Sequence, residues 1–211
     1  MPASPQVQAM MPPLDFRADV GAVNEADRTI ELTFATAKAD VLRYDWETGR
    51  KFYERLSLDP KHVRMERLAS GTAPLLDSHS AYSLGNVIGV VETASLDGKR
   101  GTALVRFSKR AEVEPYFQDV KDRVIRNVSI GYRVFKFTDL NETRDGIPVR
   151  LATDWEGYEI SMVPMGADAG ARVRARTSQE VDTNPCVIER AAVTVTDGDR
   201  ARRERLALAR G

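Results

Sequence analysis

The stretch Asn127–Val134, "NVSIGYRV", alternates apolar side chains with polar or small ones. Successive side chains of a β-strand point to opposite faces, so Val128, Ile130 and Tyr132 share the face that we expect to point into the core. Ser129 then lies on the other face. The stretch predicts a strand that turns one hydroxyl away from the core, where it is either a solvated strand serine or a nucleophile.

The same alternation predicts that most of the neighbouring sequence is also β-structure. We expect a hairpin turn at "SLDGKR", residues 95–100, and a loop at "TDLNETRDGIP", residues 138–148. The predicted strands comprise residues 14–23, 28–37, 51–58, 87–94, 101–108, 127–137 and 149–164.

Two short helices are predicted between these strands. The first covers residues 59–71, with Asp59 as its N-cap and Gly71 just past its end. The second covers residues 109–126, where apolar residues recur at helical spacing up to Val124. Many strands with few helices predict a mostly-β or α+β fold, a small closed or partly closed antiparallel β-barrel with flanking helices.

The 211 residues suit one globular domain with a tail. Residues 1–13 are rich in Pro, Met and Gln, and we expect them to be disordered. Residues 14–175 are the predicted domain. Residues 176–211 change in character and are predicted to be a flexible linker followed by an isolated helix.

Composition argues against several classes of function. Lys and Arg together number 31, as do Asp and Glu, so no net charge draws the chain to nucleic acid or to an anionic membrane. No apolar run approaches the roughly 20 residues of a membrane span, and the N-terminus is not a secretory signal. We therefore expect neither a nucleic-acid nor a membrane partner.

The few cysteines and histidines and the pattern of glycines argue against several kinds of site. Cys186 is the only cysteine, which excludes an internal disulfide and favours a reducing compartment; its place in a turn-rich tail argues against a catalytic thiol. His62 and His79 are the only histidines, too few for a His-rich zinc site. Phosphate-binding glycine motifs are absent. We expect no cofactor and no metal.

The last predicted strand carries a second reactive group on its polar face. Tyr158, Ile160 and Met162 form its apolar face, so Glu159 and Ser161 point the opposite way. A serine hydroxyl needs a base to become a nucleophile, and a histidine oriented by a carboxylate is the usual base near neutral pH.

Of the two histidines, His79 is the better candidate base. It follows an apolar pair in "PLLDSHSAYSLG", at a strand end or loop, whereas His62 lies in a charged segment and is expected at the surface. Polar residues on the outer face of a sheet are also expected without any chemistry. The α/β-hydrolase fold is disfavoured, because its G-x-S-x-G elbow runs from strand to helix and here Asn127 replaces the first glycine.

Three motifs in order resemble a known family. They are "APLLDSHS…IGVV", a helix leading into "VIRNVSIGYRV", and "GYEISMVPMGADAGARV". This combination is similar to the prohead maturation proteases of tailed bacteriophages, serine endopeptidases related in fold to herpesvirus assemblins. The resemblance covers about Leu14 to Val173, and it implies an assemblin-like barrel.

The resemblance implies a Ser-His-Glu triad in which Ser129 is the nucleophile, His79 the general base and Glu159 the acid that orients the imidazole. Asp77 and Glu156 remain alternative acids. Glu156 falls on the apolar side of its strand unless a bulge intervenes at Gly157.

Other details of the site stay open or depart from the family. The sequence does not identify the oxyanion donors; the candidates are backbone N–H groups near Ser129, Arg126 or Arg133. Gly166 stands where the family usually has proline, and Ser80 follows the histidine where many members have aspartate.

The implied substrates are a scaffolding protein or the scaffolding segment of the major capsid protein, and the protease itself. The family acts in the host cytoplasm, inside the assembling prohead, and self-association, for instance as a dimer, is expected. The tail 177–211 is then a targeting segment removed by self-cleavage, a junction to a scaffold, or simply a solvated tail.

Two rival interpretations belong to other classes of function. One is a non-catalytic capsid-assembly or scaffolding module of the same fold. The other is an unrelated β-rich hydrolase or peptide-binding domain, which predicts that Ser129 and Glu159 lie far apart or on opposite sides of the sheet.

Overall fold

The computed structural model describes residues 6–11, 14–37, 39–45, 48–164 and 184–190. The fold is mostly β with few, short helices, as the sequence predicts. Its strands are β1 (Gln6–Met11), β2 (Leu14–Asn24), β3 (Thr29–Thr36), β4 (Asp40–Asp45), β5 (Arg50–Leu56), β6 (Val63–Arg64), β7 (Pro74–Asp77), β8 (Val87–Leu96), β9 (Arg100–Phe107), β10 (Asn127–Arg144), β11 (Ile147–Val163) and β12 (Asn184–Arg190). The helices are α1 (Glu66–Ala69) and α2 (Glu114–Lys121), with single 3₁₀ turns at Pro60–His62, Leu84–Asn86 and Ala111–Val113.

The strands form one mixed sheet. Neighbours follow the order β1-β12-β10-β2-β3-β9-β8-β7-β11-β5-β4, while β10 also pairs with β11 and β6 pairs with β11. Most pairs are antiparallel, but β11 runs parallel to β5, β6 and β7, and β10 runs parallel to β12. The expectation of a purely antiparallel arrangement is therefore wrong, because crossovers through short helices and loops bring strands alongside β11 in the same direction.

One continuous core lies on the inner faces of these strands. The alternation predicted for β10 holds, since Val128, Ile130, Tyr132 and Val134 are fully buried. Side chains from β3, β5, β9 and β11 meet them, the largest being Phe34, Phe52, Phe107 and Trp155. Burying these rings removes a large apolar area from water, which is the main stabilising term for such a fold.

The loop expected at residues 138–148 is instead the tip of a long hairpin. Strands β10 and β11 continue past the core and are joined at Asp145 and Gly146, both with positive φ (52° and 76°). An Asp-Gly pair in this conformation is typical of a type I′ hairpin turn. The polar composition was misleading because both strands are largely exposed near the tip, where neither face needs apolar side chains.

The predicted helices are shorter than expected. Asp59 caps a 3₁₀ turn by accepting a hydrogen bond from the Lys61 N–H at 2.9 Å, and α1 starts only at Glu66. Helix α2 ends at Lys121, since Arg123 has a left-handed φ of 60°. Val124 is therefore 71% exposed rather than part of the apolar helix face. Strand β7, which the sequence patterns left unassigned, enters the sheet between β8 and β11.

Residues at both ends of the described chain lie outside the predicted domain yet pair with each other. Strand β1 pairs with β12, and β12 lies against β10. Residues 6–11 of the segment expected to be disordered form β1, which pairs with β12 in antiparallel fashion. The predicted helix near the C-terminus falls outside the described residues, and the domain boundaries stay a prediction. Among the described residues no helix is long and apolar enough to cross a membrane.

Candidate active site

Three neighbouring strands bring the candidate residues to one place. Strand β11 runs between β7 and β10, with Ser161 opposite Leu76 on one side and opposite Ser129 on the other. Glu159 lies opposite Gly131, so Ser129 and Glu159 stand on adjacent strands and on the same face of the sheet. The arrangement expected for an unrelated β-rich domain, with the two residues far apart or on opposite sides, is not found.

The loop after β7 returns His79 towards β11. Ser78 and His79 both have left-handed φ values, 51° and 59°. The Ser78 N–H donates to the Met162 carbonyl at 2.9 Å, and the Ser80 N–H donates to the Asp77 carbonyl at 2.9 Å. Two successive non-glycine residues in this region are costly, so the surrounding hydrogen bonds must hold the backbone there.

His79 and Glu159 form a close pair. Nδ1 of His79 lies 2.6 Å from Oε1 of Glu159. The carboxylate side chain is 4% exposed and the imidazole 25% exposed, so one partner is buried while the other reaches solvent. A carboxylate only accepts hydrogen bonds, so Nδ1 carries the proton and Nε2 is the nitrogen that can take one up.

Ser161 completes a ring of hydrogen bonds with this pair. Its hydroxyl donates to Oε2 of Glu159 at 2.6 Å and accepts from the backbone N–H of His79 at 3.1 Å. Ser161 is fully buried. Both carboxylate oxygens of Glu159 are therefore engaged, one by each of the other two residues.

Ser129 lies next to this ring of hydrogen bonds, opposite Ser161 on β11. The residue is 2% exposed, and Oγ has no hydrogen-bond partner among the residues that the structure describes. A buried hydroxyl without a partner costs about 1–3 kcal/mol, so such a group needs a reason beyond packing. Hydrogen bonds at catalytic sites often form fully only when substrate is bound.

Gly131 makes room for the acid. A Cβ built on Gly131 would overlap Oε1 of Glu159, the oxygen that holds His79. The glycine that follows the serine by two residues is thus explained by contact across the strands. A tight backbone turn does not explain it, since Gly131 lies within β10.

A bulge in β11 sets which carboxylates face the site. Gly131 pairs with Glu159 but Tyr132 pairs with Gly157, which leaves Tyr158 as the extra residue. The core face therefore continues through Gly157 and Trp155, and the placement of Tyr158 on the apolar face is wrong. Beyond the bulge Glu156, opposite Arg133, lies on the outer face.

The other candidates have partners elsewhere. The carboxylate of Asp77 accepts hydrogen bonds from the Ser78 hydroxyl and from the Tyr116 hydroxyl, and the latter bond raises the pKa of Tyr116. His62 pairs through Nδ1 with the Ser57 hydroxyl at 2.7 Å in the 3₁₀ turn. Cys186 is buried in β12, and burial raises the pKa of its thiol to about 12.

Two arginines near Ser129 in the sequence are the side-chain candidates for an oxyanion donor. Arg126 is exposed just before β10, and the Arg133 guanidinium stacks 5.5 Å from the ring centre of Tyr158. Neither position identifies an oxyanion donor.

Within the described ranges no group of three or more His, Cys, Asp or Glu side chains could hold a metal ion.

Sequence reasoning placed Ser161 on the face of Glu159 but gave it no role, and it gave none to Gly131. The Glu-x-Ser spacing on a strand was the available signal, because residues two apart point the same way. No such signal exists for Gly131, since its contact depends on the register between two strands.

The chain is similar to known bacteriophage proteins. Residues 66–184 match the family described as caudovirus prohead serine protease. A major capsid protein of Halomonas phage phiHAP-1 is 40% identical over 123 residues, which are 57% of this chain and 20% of that protein. The chain therefore spans about a fifth of that relative. No solved structure matches the chain.

Proposed function

Because this chain belongs to the family of caudovirus prohead serine proteases, we propose that it is a capsid-maturation serine endopeptidase that uses Ser129, His79 and Glu159. One observation carries the assignment of residues. The His79–Glu159 pair, 2.6 Å apart, lies on the same sheet face as the buried Ser129 hydroxyl, whose Oγ has no hydrogen-bond partner among the described residues.

The chemistry is acyl transfer to serine. Oγ of Ser129 attacks the scissile carbonyl carbon while Nε2 of His79 takes the hydroxyl proton. Glu159 holds the imidazole through Nδ1 and stabilises the imidazolium that forms. The protonated His79 then gives its proton to the leaving amine, and water releases the acyl group by the same route in reverse.

Burial of the acid favours this assignment over Asp77 and Glu156. A charge in a site screened from water interacts more strongly with its partner than one at the surface. The Glu159 side chain is 4% exposed and accepts hydrogen bonds at both oxygens. Asp77 is engaged by Ser78 and Tyr116, and Glu156 is half-buried opposite Arg133.

We also propose that the central strands form a small barrel. The pairings of β10 with β2, β2 with β3, β3 with β9, β9 with β8, β8 with β7, β7 with β11 and β11 with β10 return to the starting strand. They support a small barrel of the assemblin type, with β12, β1, β5 and β4 as extensions. In such a barrel the candidate residues lie on the outer face of the wall, where Ser129 and Glu159 are buried and the His79 imidazole is partly exposed to solvent.

The proposed substrates are a scaffolding protein or the scaffolding segment of the major capsid protein, together with the protease itself. The similarity to part of a phage major capsid protein supports a capsid partner. The reaction would take place in the host cytoplasm inside the assembling prohead. Self-association of the protease and a targeting or self-cleaved role for residues 177–211 belong to the same proposal.

The first test compares the wild-type chain with Ser129→Ala. Each is incubated with the major capsid protein of the same phage, and the masses of both proteins are followed over time. We expect the wild type to cleave and the variant to lose at least about 10³-fold in rate, as expected for removal of a nucleophile. Ser57→Ala, which removes another buried strand-end hydroxyl, is the matched control and should cleave normally.

The outcomes separate the alternatives. Equal cleavage by wild type and Ser129→Ala would show that Ser129 is not the nucleophile. No cleavage by folded wild type in the presence of assembled capsid protein would favour the non-catalytic assembly module. Glu159→Gln and Asp77→Asn identify the acid, since only the former should lower the rate strongly.

A further inference from the structure

We propose that Ser161 is a positioning residue that holds both ends of the His79–Glu159 pair through one hydroxyl. The inference rests on the proposed function, because it concerns the base and acid named there. It goes beyond that function by adding a fully buried residue that is neither the nucleophile, the base nor the acid and that the reaction still requires.

The Ser161 hydroxyl makes two hydrogen bonds at once. Ser161 donates to Oε2 of Glu159 at 2.6 Å and accepts from the backbone N–H of His79 at 3.1 Å. Since Nδ1 of His79 lies 2.6 Å from Oε1 of Glu159, the histidine is tied to the carboxylate through both its side chain and its main chain. A serine hydroxyl is suited to this place because it donates and accepts at once.

The backbone at His79 is in the left-handed region. A φ of 59° is unfavourable for a histidine, and Ser78 before it has a similar value of 51°. Without a hydrogen bond at the His79 N–H, the loop would be free to relax toward an ordinary conformation. That change would rotate the Cα–Cβ bond of His79 and turn the imidazole away from Glu159.

The hydrogen bond between Ser161 and Glu159 is shielded from water. Ser161 is fully buried and Glu159 is 3% exposed, so water cannot replace the hydroxyl readily. Removing Oγ leaves a carboxylate oxygen and a backbone N–H without their partner in a dry site. We therefore expect the loop that carries His79 to shift, because a water molecule does not readily take the place of the lost hydroxyl.

A plain packing role is the competing explanation. Ser161 faces Ser129 on one neighbouring strand and Leu76 on the other, where any small side chain would fill the space. This explanation predicts that Ser161→Ala folds and cleaves normally. The two explanations therefore differ in catalysis and in the hydrogen bond at Nδ1.

The kinetic test uses a peptide that spans the cleavage site mapped with the wild-type protease. We expect Ser161→Ala to lower kcat about ten- to hundredfold. A loss of this size is expected when a catalytic group is displaced by up to about 1 Å. KM should change less than about threefold, since Ser161 is fully buried and exposes no surface for binding the peptide. Ser57→Ala, whose lost hydroxyl bonds His62 at 2.7 Å, is the matched control and should keep both constants.

A second readout does not depend on activity. The low-field proton NMR signal of the His79 Nδ1–H is recorded in Ser129→Ala, which cannot process itself, and in Ser129→Ala combined with Ser161→Ala. We expect the signal to move upfield or to disappear through exchange in the double variant. If Ser161→Ala does not fold, Ser161→Cys takes its place, because cysteine is close to serine in size but is a weaker hydrogen-bond donor. We expect the His79 Nδ1–H signal to change in the same direction in that variant.

Unchanged kcat and an unchanged Nδ1–H signal in Ser161→Ala or Ser161→Cys would overturn the inference. Full activity of Ser129→Ala would instead overturn the proposed function, while the NMR comparison would still decide whether Ser161 holds His79. A fall in stability with unchanged kcat would also count against the inference, because it is the result expected from packing alone.

Discussion

Single atoms decide the geometry of the candidate site. Glu159 can approach His79 only because Gly131, opposite it on β10, has no side chain. The Ser-x-Gly pattern in "NVSIGYRV" therefore combines two requirements, a hydroxyl on the outer face and an empty space beside the acid. Both residues share that face because they are two apart on one strand.

At the residue scale we predict that Gly131→Ala lowers kcat by about 10²-fold or more, since the new methyl group displaces the Glu159 carboxylate from the position that orients His79. The measurement is kcat on a mapped cleavage-site peptide, with urea unfolding to confirm the fold. Gly85→Ala is the control, because a Cβ there meets only Ser83 Oγ at 3.4 Å, an ordinary contact. Wild-type kcat in a folded Gly131→Ala would show that the carboxylate does not need this space.

At the scale of elements, the β10–β11 hairpin carries two of the three candidate residues. It is joined by a two-residue turn with both φ values positive, which matches the right-handed twist of the strands. The turn fixes the register near the tip, and bulges further along adjust it before it reaches Ser129 and Glu159.

We predict that Gly146→Ala destabilises the protein by about 1–2 kcal/mol, because a left-handed conformation costs a residue with a side chain roughly that much. The measurement is the urea midpoint at constant m-value. Asp145→Asn is the matched variant and should be neutral, since asparagine adopts positive φ at least as readily as aspartate. If both variants behaved like wild type, the turn would not contribute to stability.

At the scale of the whole molecule, two segments far apart in sequence pair with each other along one edge of the sheet. Strand β12 lies against β10 in parallel, and β1 pairs with β12. Asn184 fixes the start of β12 by donating from its side-chain amide to the Val134 carbonyl at 2.7 Å. Cys186 packs into the core from this strand.

Burial raises the pKa of the Cys186 thiol to about 12 from an ordinary value of 9.0. We predict that roughly one thiol in ten thousand is ionised at pH 8, so iodoacetamide alkylates the folded protein far more slowly than the urea-unfolded protein. Mass spectrometry over time measures both rates. Rapid alkylation of the folded protein would mean that β12 detaches readily from β10.

The same shift makes stability depend on pH in the alkaline range. Below about pH 9 the thiol keeps its proton in both states, while between pH 9 and 12 only the unfolded state loses it, so stability falls as the pH rises. Between pH 8.5 and 10 the loss from this group is about 1 kcal/mol. Cys186→Ala should lack this part of the pH dependence of the urea midpoint, which separates it from other titrating groups.

The sequence by itself determined the β-rich class, the core face of β10, and Ser129, His79 and Glu159 as the candidates to examine. These are local properties, since alternation with a period of two residues is written in consecutive positions. The resemblance to prohead proteases pointed to the family that the comparison then showed for residues 66–184.

Only the tertiary structure decided which residues meet. The bulge at Tyr158 reverses the faces of the residues just before it in β11, so Glu156 lies on the outer face, whereas the sequence offered Gly157 only as a place where a bulge could intervene. The long hairpin tip looked like a loop because exposed strands need no apolar face. The contacts of Ser161 with His79, and of Gly131 with Glu159, depend on register between strands that are distant in sequence. Register is set by the packing of the whole sheet, and a local pattern cannot encode it.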